Sequence, residues 1–363
     1  MTWVSPTTQL PLAPDTPHSL SDGEARWPVA DGIPYLRTGR DDLVAQALAR
    51  LDASDAAGAL VLLLADQDDW WTGPRATDAD LRRLVAERGT LTLREAMALL
   101  AWGPVADYFA HRWSDPTYLA GLALLEAHWA EPATAFELAC GIGHYARELT
   151  RRGVACLGAD VVFAKCWVAK HWVVPEADFV CFDAAAPWPL GERRFDLVHC
   201  QDAFYFLPDQ EVITKRLRAA VAPDGVLAVG HLHNVGVAGG AMGPAKSAAQ
   251  WRALFPQATA YDEGELLAAL LESRVPRPAD WPDGPDIEAW SLAEGGGAPR
   301  SPTAGLARPC EGGQLRPNPL LASDGPHWPS PRYAREYGPR STWATGAGDP
   351  VLTRQLVDLP ERW

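Results

Sequence analysis

Glu137, Gly141, Gly143, Asp160 and Asp183 are the residues whose types and spacing most directly imply chemistry in this 363-residue chain. Gly141 and Gly143 punctuate the end of the apolar run 135–140, just before a helical pattern. Two glycines that close together let backbone N–H groups face a ligand where a Cβ would block approach, and the following helix offers its positive end. A polar, nucleotide-like group suits such a turn. Asp160 ends the next apolar run, 154–159, about 20 residues past the glycines, where a carboxylate can accept hydrogen bonds from ribose hydroxyls. Asp183 ends a third such run, 178–182. Turn and acids together read as an adenosine site.

These side chains can cooperate only if their strands lie parallel with the carboxyl ends on one rim. The pattern predicts this. Strands are expected at 135–138, 154–160, 178–183, 194–202 and 226–231, with helices at 144–152, 161–172 and 209–221 between them. In the first helix Tyr145, Ala146 and Leu149 share a face, and Gly153 can close it. In the last, Ile213, Leu217, Ala220 and Val221 share a face, and Ala222-Pro223-Asp224-Gly225 is a turn. Alternation at this spacing predicts an α/β fold, a parallel sheet with right-handed crossovers.

The flanks read differently. Residues 1–40 are irregular, with a strand pair at 25–30 and 33–36 across the hairpin turn Asp31-Gly32. Residues 41–104 are helical, and Thr92-Leu93-Arg94-Glu95 has the form of a capping box. At 107–114 polar and aromatic residues interleave before a helix at 116–129. That stretch is either a helix end with solvated His111 and Arg112, or a lid that brings Tyr108 or Arg112 to a carboxylate. Beyond 232 come a glycine-rich loop at 236–243, helices at 244–254 and 264–273, and a Pro/Gly-rich stretch with five tryptophans. This stretch is expected to wrap the sheet, with 306–308 and 315–317 as final strands. The resulting division is 1–40, 41–104, 105–274 and an extension, 275–363, that packs on the third unit.

The order of motifs from about 105 to 235 resembles class I S-adenosylmethionine-dependent methyltransferases. The matching residues are Phe136-Glu137-Leu138-Ala139-Cys140-Gly141-Ile142-Gly143, Gly158-Ala159-Asp160-Val161, Phe182-Asp183-Ala184, Phe195-Asp196-Leu197-Val198, Leu207-Pro208-Asp209 and Leu217 through Pro223-Asp224-Gly225-Val226-Leu227. The resemblance implies a Rossmann-like sheet with helices on both faces, and S-adenosyl-L-methionine as cofactor. It implies that the turn from Ala139 through Gly141 to Gly143 wraps the methionine part, with Glu137 fixing the loop. Asp160 would hold the ribose and Val161 would pack on adenine. Asp183 with the Ala184 backbone would meet the adenine amine, and Gln201 would lie near the methionine moiety. The family usually has glycine where this chain has Ala139. The stretch 27–34 also looks like the end of a zinc-ribbon-like module whose metal cysteines are absent, so no metal site is expected.

Methyl transfer from a sulfonium needs in-line geometry, which can supply roughly 7–11 kcal/mol, and a base adds about 10²–10⁴-fold. His231 and His233, on one face at the end of the fifth strand, are the candidate catalytic residues, with a structural role as the competing reading. Asp202, Phe204 and Tyr205 follow the fourth strand, where Asp202 also suits a cap. His199 reads as a core residue, and His144 as a cap or a cofactor neighbour. Gly141-x-Gly143-x-x-Ala146 with Asp160 also satisfies the dinucleotide fingerprint, so an NAD(P)-dependent oxidoreductase stays open, as does a non-catalytic cofactor-binding protein.

The net charge of −14 disfavours a nucleic-acid partner, because phosphate-backbone binding draws on clustered Lys and Arg. A small-molecule methyl acceptor is expected instead. The longest apolar run, 57–65, is too short to span a bilayer, and residues 1–6 lack a leader pattern, so a soluble, cytoplasmic protein is expected. Five of the six cysteines, Cys140, Cys156, Cys166, Cys181 and Cys200, fall in or beside core elements as buried thiols.

Overall fold

A computed structural model describes residues 2–237, 245–281, 287–341 and 348–363. Near the N-terminus, β1 (Trp3–Val4), β2 (Pro11–Thr16), β3 (Ser19–Ser21), β4 (Arg26–Ala30) and β5 (Ile33–Pro34) form an antiparallel sheet in sequence order. The expected hairpin is there: Val29 faces Pro34 and Ala30 faces Ile33, with Asp31 and Gly32 both at positive φ. Two positive-φ residues twist a two-residue turn to match its strands. Just past β5, Tyr35 bridges to Cys181, which joins the small sheet to the edge of the main one.

The helices α1 (Asp41–Asp52), α2 (Ala56–Ala65), α3 (Asp78–Glu87) and α4 (Leu93–Leu99) follow. The helical pattern over 41–64 is interrupted where Ser54 takes φ 62°, and α2 restarts with the Asp55 carboxylate accepting from the Gly58 N–H. The capping box of α4 is formed, Thr92 and Glu95 each bonding the other's backbone N–H. Next come α5 (Pro104–His111), a 3₁₀ turn over Arg112–Ser114, and α6 (Pro116–Ala127). Eleven of the twelve residues of α6 are buried, which suits a helix apolar on nearly every side.

The main sheet contains β6 (Thr134–Leu138), β7 (Ala155–Asp160), β8 (Asp178–Cys181), β9 (Phe195–Gln201), β10 (Val221–His233), β11 (Thr259–Asp262) and β12 (Ala289–Gly295), in the order β11-β12-β10-β9-β6-β7-β8. The first five pair in parallel, while β12 runs antiparallel to both β10 and β11. The chain builds outward from β6 to β8, then crosses back to lay β9 on the other side of β6. Strand order therefore reverses between β6 and β9, the place where open α/β sheets bind ligands.

Both faces are covered. α6, α7 (His144–Thr150), α8 (Phe163–Val168) and α11 (Glu263–Leu271) share one apolar core. α9 (Gln210–Ala220), α10 (Ala248–Leu254) and Trp3, Leu12 and Trp27 of the small sheet share the other. Ala135 faces the first core and Phe136 the second, the alternation that a strand buried on both sides imposes.

Three expectations need correction. The final strands of the sheet are β11 and β12, so a strand within 275–363 belongs to the sheet rather than lying on it. Residues 306–308 form a turn, closed by the Ala307 N–H on the Ala304 carbonyl. Within 315–317 only β13 (Arg316–Pro317) is strand, and it pairs with β16 (Leu356–Val357) apart from the main sheet, as β14 (Leu321–Ala322) pairs with β15 (Gly325–Pro326). The helix expected at 244–254 starts at Ala248, capped by Ser247. The glycine-rich loop at 236–243 lies mostly outside the described residues.

Charge ties the end of the chain to α7. The Arg147 guanidinium, largely buried, lies 3.0 Å from Asp358 and 2.7 Å from Glu148, and Arg151 reaches Asp358 at 2.5 Å. Asp358→Ala leaves Arg147 buried with half its counter-charge and is expected to cost about 3 kcal/mol. Urea unfolding of the full chain checks this; an unchanged midpoint would show that this ion pair does not anchor the segment.

Candidate functional site

The turn after β6 is built from positive backbone torsions. Ala139, Gly141 and Gly143 have φ of 56°, 55° and 80°. Ala139 thus sits where an L side chain costs about 1–2 kcal/mol, which explains why glycine suits this position. A Cβ on Gly141 would lie 3.0 Å from the Phe109 ring, so at this positive φ any other residue would be both strained and crowded.

The Asp160 carboxylate, at the end of β7, pins the turn. Its Oδ2 accepts from the Gly141 N–H at 3.0 Å and its Oδ1 from the Val162 N–H at 3.0 Å, with Lys165 Nζ at 3.3 Å. Val161 is half-buried beside it. Asp183, two residues past β8 and half-buried, accepts from the Ala185 N–H at 2.8 Å, and the Ala184 carbonyl accepts from Trp188 and Arg216. Gln201 ends β9, buried, with its amide against Gly230. These residues and the turn gather at the carboxyl ends of β6 to β9. Glu137 does not reach that rim. It lies within β6 and accepts from the Ala146 N–H at 3.1 Å, holding the start of α7 from below. Burial pushes its pKa up to about 8, against the Ala146 hydrogen bond that favours the anion.

A second cluster stands where β9 and β10 end. Asp202, just past β9, is wholly buried and divides its oxygens between two sets of partners. Oδ2 accepts from the Tyr108 hydroxyl at 2.8 Å and pairs with Arg112 at 3.0 Å. Oδ1 accepts from the Tyr205 hydroxyl at 3.2 Å and faces His231 Nε2 at 3.6 Å. His231 Nδ1 meets Glu263 Oε2 at 2.8 Å. The His231 and His233 rings pack at 4.5 Å, and Tyr205 packs edge-on against His233 at 4.3 Å. Burial opposes the Asp202 charge, but His231, Arg112 and the Tyr108 hydroxyl outweigh it and hold the carboxyl below its usual range.

Of the two readings of 107–114, the one with a carboxylate contact matches the structure, because Tyr108 and Arg112 both bond Asp202 and Arg112 is buried, not solvated. Asp202 caps no helix. His231 and His233 do share one place, though both are buried. His199 is a core residue, its pKa lowered by burial to about 3. His144 opens α7, accepts no capping role, and bonds the Phe109 carbonyl at 3.0 Å. Glu263 was missed: as the first residue of α11 it reads in the sequence as an acid complementing a helix start.

Strand order and turn define a Rossmann-like α/β domain, with helices on both faces of its sheet. Residues 136–229 match the family model described as a methyltransferase domain. Two curated relatives are trans-aconitate 2-methyltransferases: that of Variovorax paradoxus (strain S110) is 31% identical over 134 residues, 36% of this chain and 50% of the relative, and that of Delftia acidovorans (strain DSM 14801 / SPH-1) is 30% identical over 135 residues, 36% and 49%. The chain spans about half the length of these relatives. Among solved structures, phosphoethanolamine N-methyltransferase 2 of Haemonchus contortus is similar at 18% identity and TM-score 0.39, covering 50% of this chain and 49% of that one. A TehB-like methyltransferase of Corynebacterium glutamicum ATCC 13032 aligns at 18% and 0.35, covering 48% and 85%.

Glu137 makes stability depend on pH. Its pKa is about 8 folded against 4.5 as its ordinary value, so between these the folded state holds a proton that the unfolded state has lost. Its contribution is full below about pH 4.5 and is lost as pH rises through about 8. Glu137→Gln, which keeps an acceptor for Ala146, is expected to flatten the fall in urea midpoint between pH 5 and 8.5. Parallel pH curves for the two proteins would show that this proton is not taken up.

Proposed function

We infer that this chain is an S-adenosyl-L-methionine-dependent methyltransferase acting on a small-molecule acceptor. The observation that carries the reading is the glycine turn at the β6/β9 reversal, its Gly141 N–H held by Asp160, inside the segment that matches the methyltransferase domain. The residues present fit the cofactor. Gly141 at positive φ presents a backbone N–H without a side chain, and the buried Gln201 Nε2 has no hydrogen-bond partner among the described residues.

Bound S-adenosyl-L-methionine supplies an electrophilic methyl group on a sulfonium. The work of the chain is placement. Gln201 and the turn 139–143 hold the methionine part, Asp160 the ribose, Val161 the adenine face, and Asp183 with the Ala184 backbone the adenine amine. Glu137 fixes the turn from beneath. Phe109 lies over Gly141, where its ring would help exclude water from the turn. The acceptor comes from the side of β10, where His231 and His233 are the candidate catalytic residues. In-line placement alone supplies roughly 7–11 kcal/mol.

A small organic acceptor, rather than a nucleic acid, follows from the net charge of −14. The two curated relatives are named for trans-aconitate, which supports an acceptor of that size. Six free cysteines support a reducing compartment such as the cytoplasm. Among the described residues no helix is long and apolar enough to cross a membrane.

Calorimetric titration with S-adenosyl-L-methionine, its demethylated product and NAD tests the reading. Binding of the first two is expected, with Asp160→Ala weakening both at least tenfold. Binding of NAD alone would replace methyl transfer by hydride transfer.

A further inference from the structure

We propose that Asp202, His231 and His233 bind one divalent first-row transition-metal ion, of the Zn²⁺ class, where β9 and β10 end. One carboxylate oxygen and two imidazole nitrogens there lie within 4.8 Å of one another, all from buried residues. Imidazole with carboxylate is a donor set for Zn²⁺ and its neighbours rather than for Mg²⁺ or Ca²⁺. Asp202, His231 and His233 form no recognised metal-binding motif in the sequence, since they come from the ends of two different strands.

The geometry selects the donor atoms. Glu263 Oε2 lies 2.8 Å from His231 Nδ1, so in the neutral tautomer protonated at Nδ1 that proton bonds Glu263 and Nε2 is the donor atom, on the side of Asp202 Oδ1. A carboxylate behind a ligating imidazole is the usual outer partner of a metal-bound histidine. Asp202 is arranged likewise. Arg112 and Tyr108 occupy Oδ2, while Oδ1 accepts from the Tyr205 hydroxyl at 3.2 Å and faces His231 Nε2 across 3.6 Å. That gap is too long for a hydrogen bond and close to the edge of a tetrahedron, about 3.4 Å, around an ion with bonds of about 2.1 Å. A ring nitrogen of His233, within 4.8 Å of the other two donor atoms, would be the third ligand.

The backbone is bent to make this meeting. Asp202 has φ 51° and His231 φ 58°, both outside the range that L residues favour, on neighbouring parallel strands. The pairing of β10 with β12 shifts between Val229 and Leu232, and the His231 N–H goes to the Ser291 hydroxyl. Strain of this kind gathers where a side chain must be aimed.

Three protein ligands leave a position for water or for an acceptor oxygen, whose proton the ion would make easier to lose. That use rests on the methyl-transfer reading; the ion site does not. Full-length protein stripped with chelator is loaded with Zn²⁺ or Co²⁺, without cofactor or acceptor. About one equivalent of Zn²⁺ is expected to survive desalting. Co²⁺ is expected to give a visible ligand-field band with no thiolate charge-transfer band, bleached by Zn²⁺. Asp202→Asn and His233→Asn should each weaken Zn²⁺ at least tenfold and Glu263→Gln 10–100-fold, in protein shown folded by circular dichroism. No band and no retained Zn²⁺ in the folded native chain would overturn the proposal, as would a thiolate band or undiminished binding in the variants. If a variant fails to fold, the native cobalt spectrum decides. Because the readout is metal content, a failed cofactor titration leaves this result standing, and the reverse.

Discussion

The ion pair between Arg112 and Asp202 is the contact on which the two halves of the site depend. It joins the 3₁₀ turn after α5 to the end of β9, wholly within the protein. Arg112 also pairs with Asp115, which caps α6 through the Tyr118 N–H, so one guanidinium fixes the angle between α5 and α6. That angle places Phe109 over Gly141 on one side and Tyr108 against Asp202 on the other. Leaving one charge of such a buried pair without its partner costs about 3–5 kcal/mol, so α5 cannot swing far without replacing the contact. The position of α5 and the charge at Asp202 thus depend on one contact.

Tyr333 extends this network to the last part of the chain, its hydroxyl donating to Asp115 at 3.2 Å. Ser114 does the same through Asn318, at 2.7 Å. The Pro/Gly-rich segment has few regular elements, yet it holds the corner where α5 meets α6. Its irregularity is compatible with order because polar contacts tie it to that corner and to α7, while Leu306, Val351 and Val357 enter the first apolar core and Leu320, Tyr333 and Tyr337 pack together.

The strands β6 to β10 and the helices between them were legible because each carries a complete local signal: an apolar run, a helical face and a breaker. Ala222-Pro223-Asp224-Gly225 shows the limit even there. The structure counts these residues within β10, with its pairing to β9 shifting between Val221 and Val226. β11 and β12 were not legible. Thr259–Asp262 is four residues long and half polar, and Ala289–Gly295 contains no β-branched residue. Their strand character comes from the edge that β10 offers, a tertiary cause that local propensity does not carry. Of the rim, Asp160, Asp183 and the glycines stood out because strand ends mark them. The partnership of Asp202, His231 and Glu263 joins residues 61 apart in sequence through a bulge and a short edge strand, and no spacing rule encodes that.

Two buried carboxylates show how the fold sets roles by environment. Glu137 and Asp202 both lie out of water, one inside β6 and one just past β9. Glu137 meets a single backbone N–H and is lifted to a pKa of about 8, which suits a neutral prop under a turn. Asp202 meets Arg112, His231 and two phenols and is held as an anion. Environments that push like groups apart are how one site divides its acid and base work. The neutral carboxyl stands beneath the turn proposed for the cofactor, where a buried negative charge would be costly. The ionised one stands beside the end of β10, where His231 and Arg112 together offset the cost of its burial.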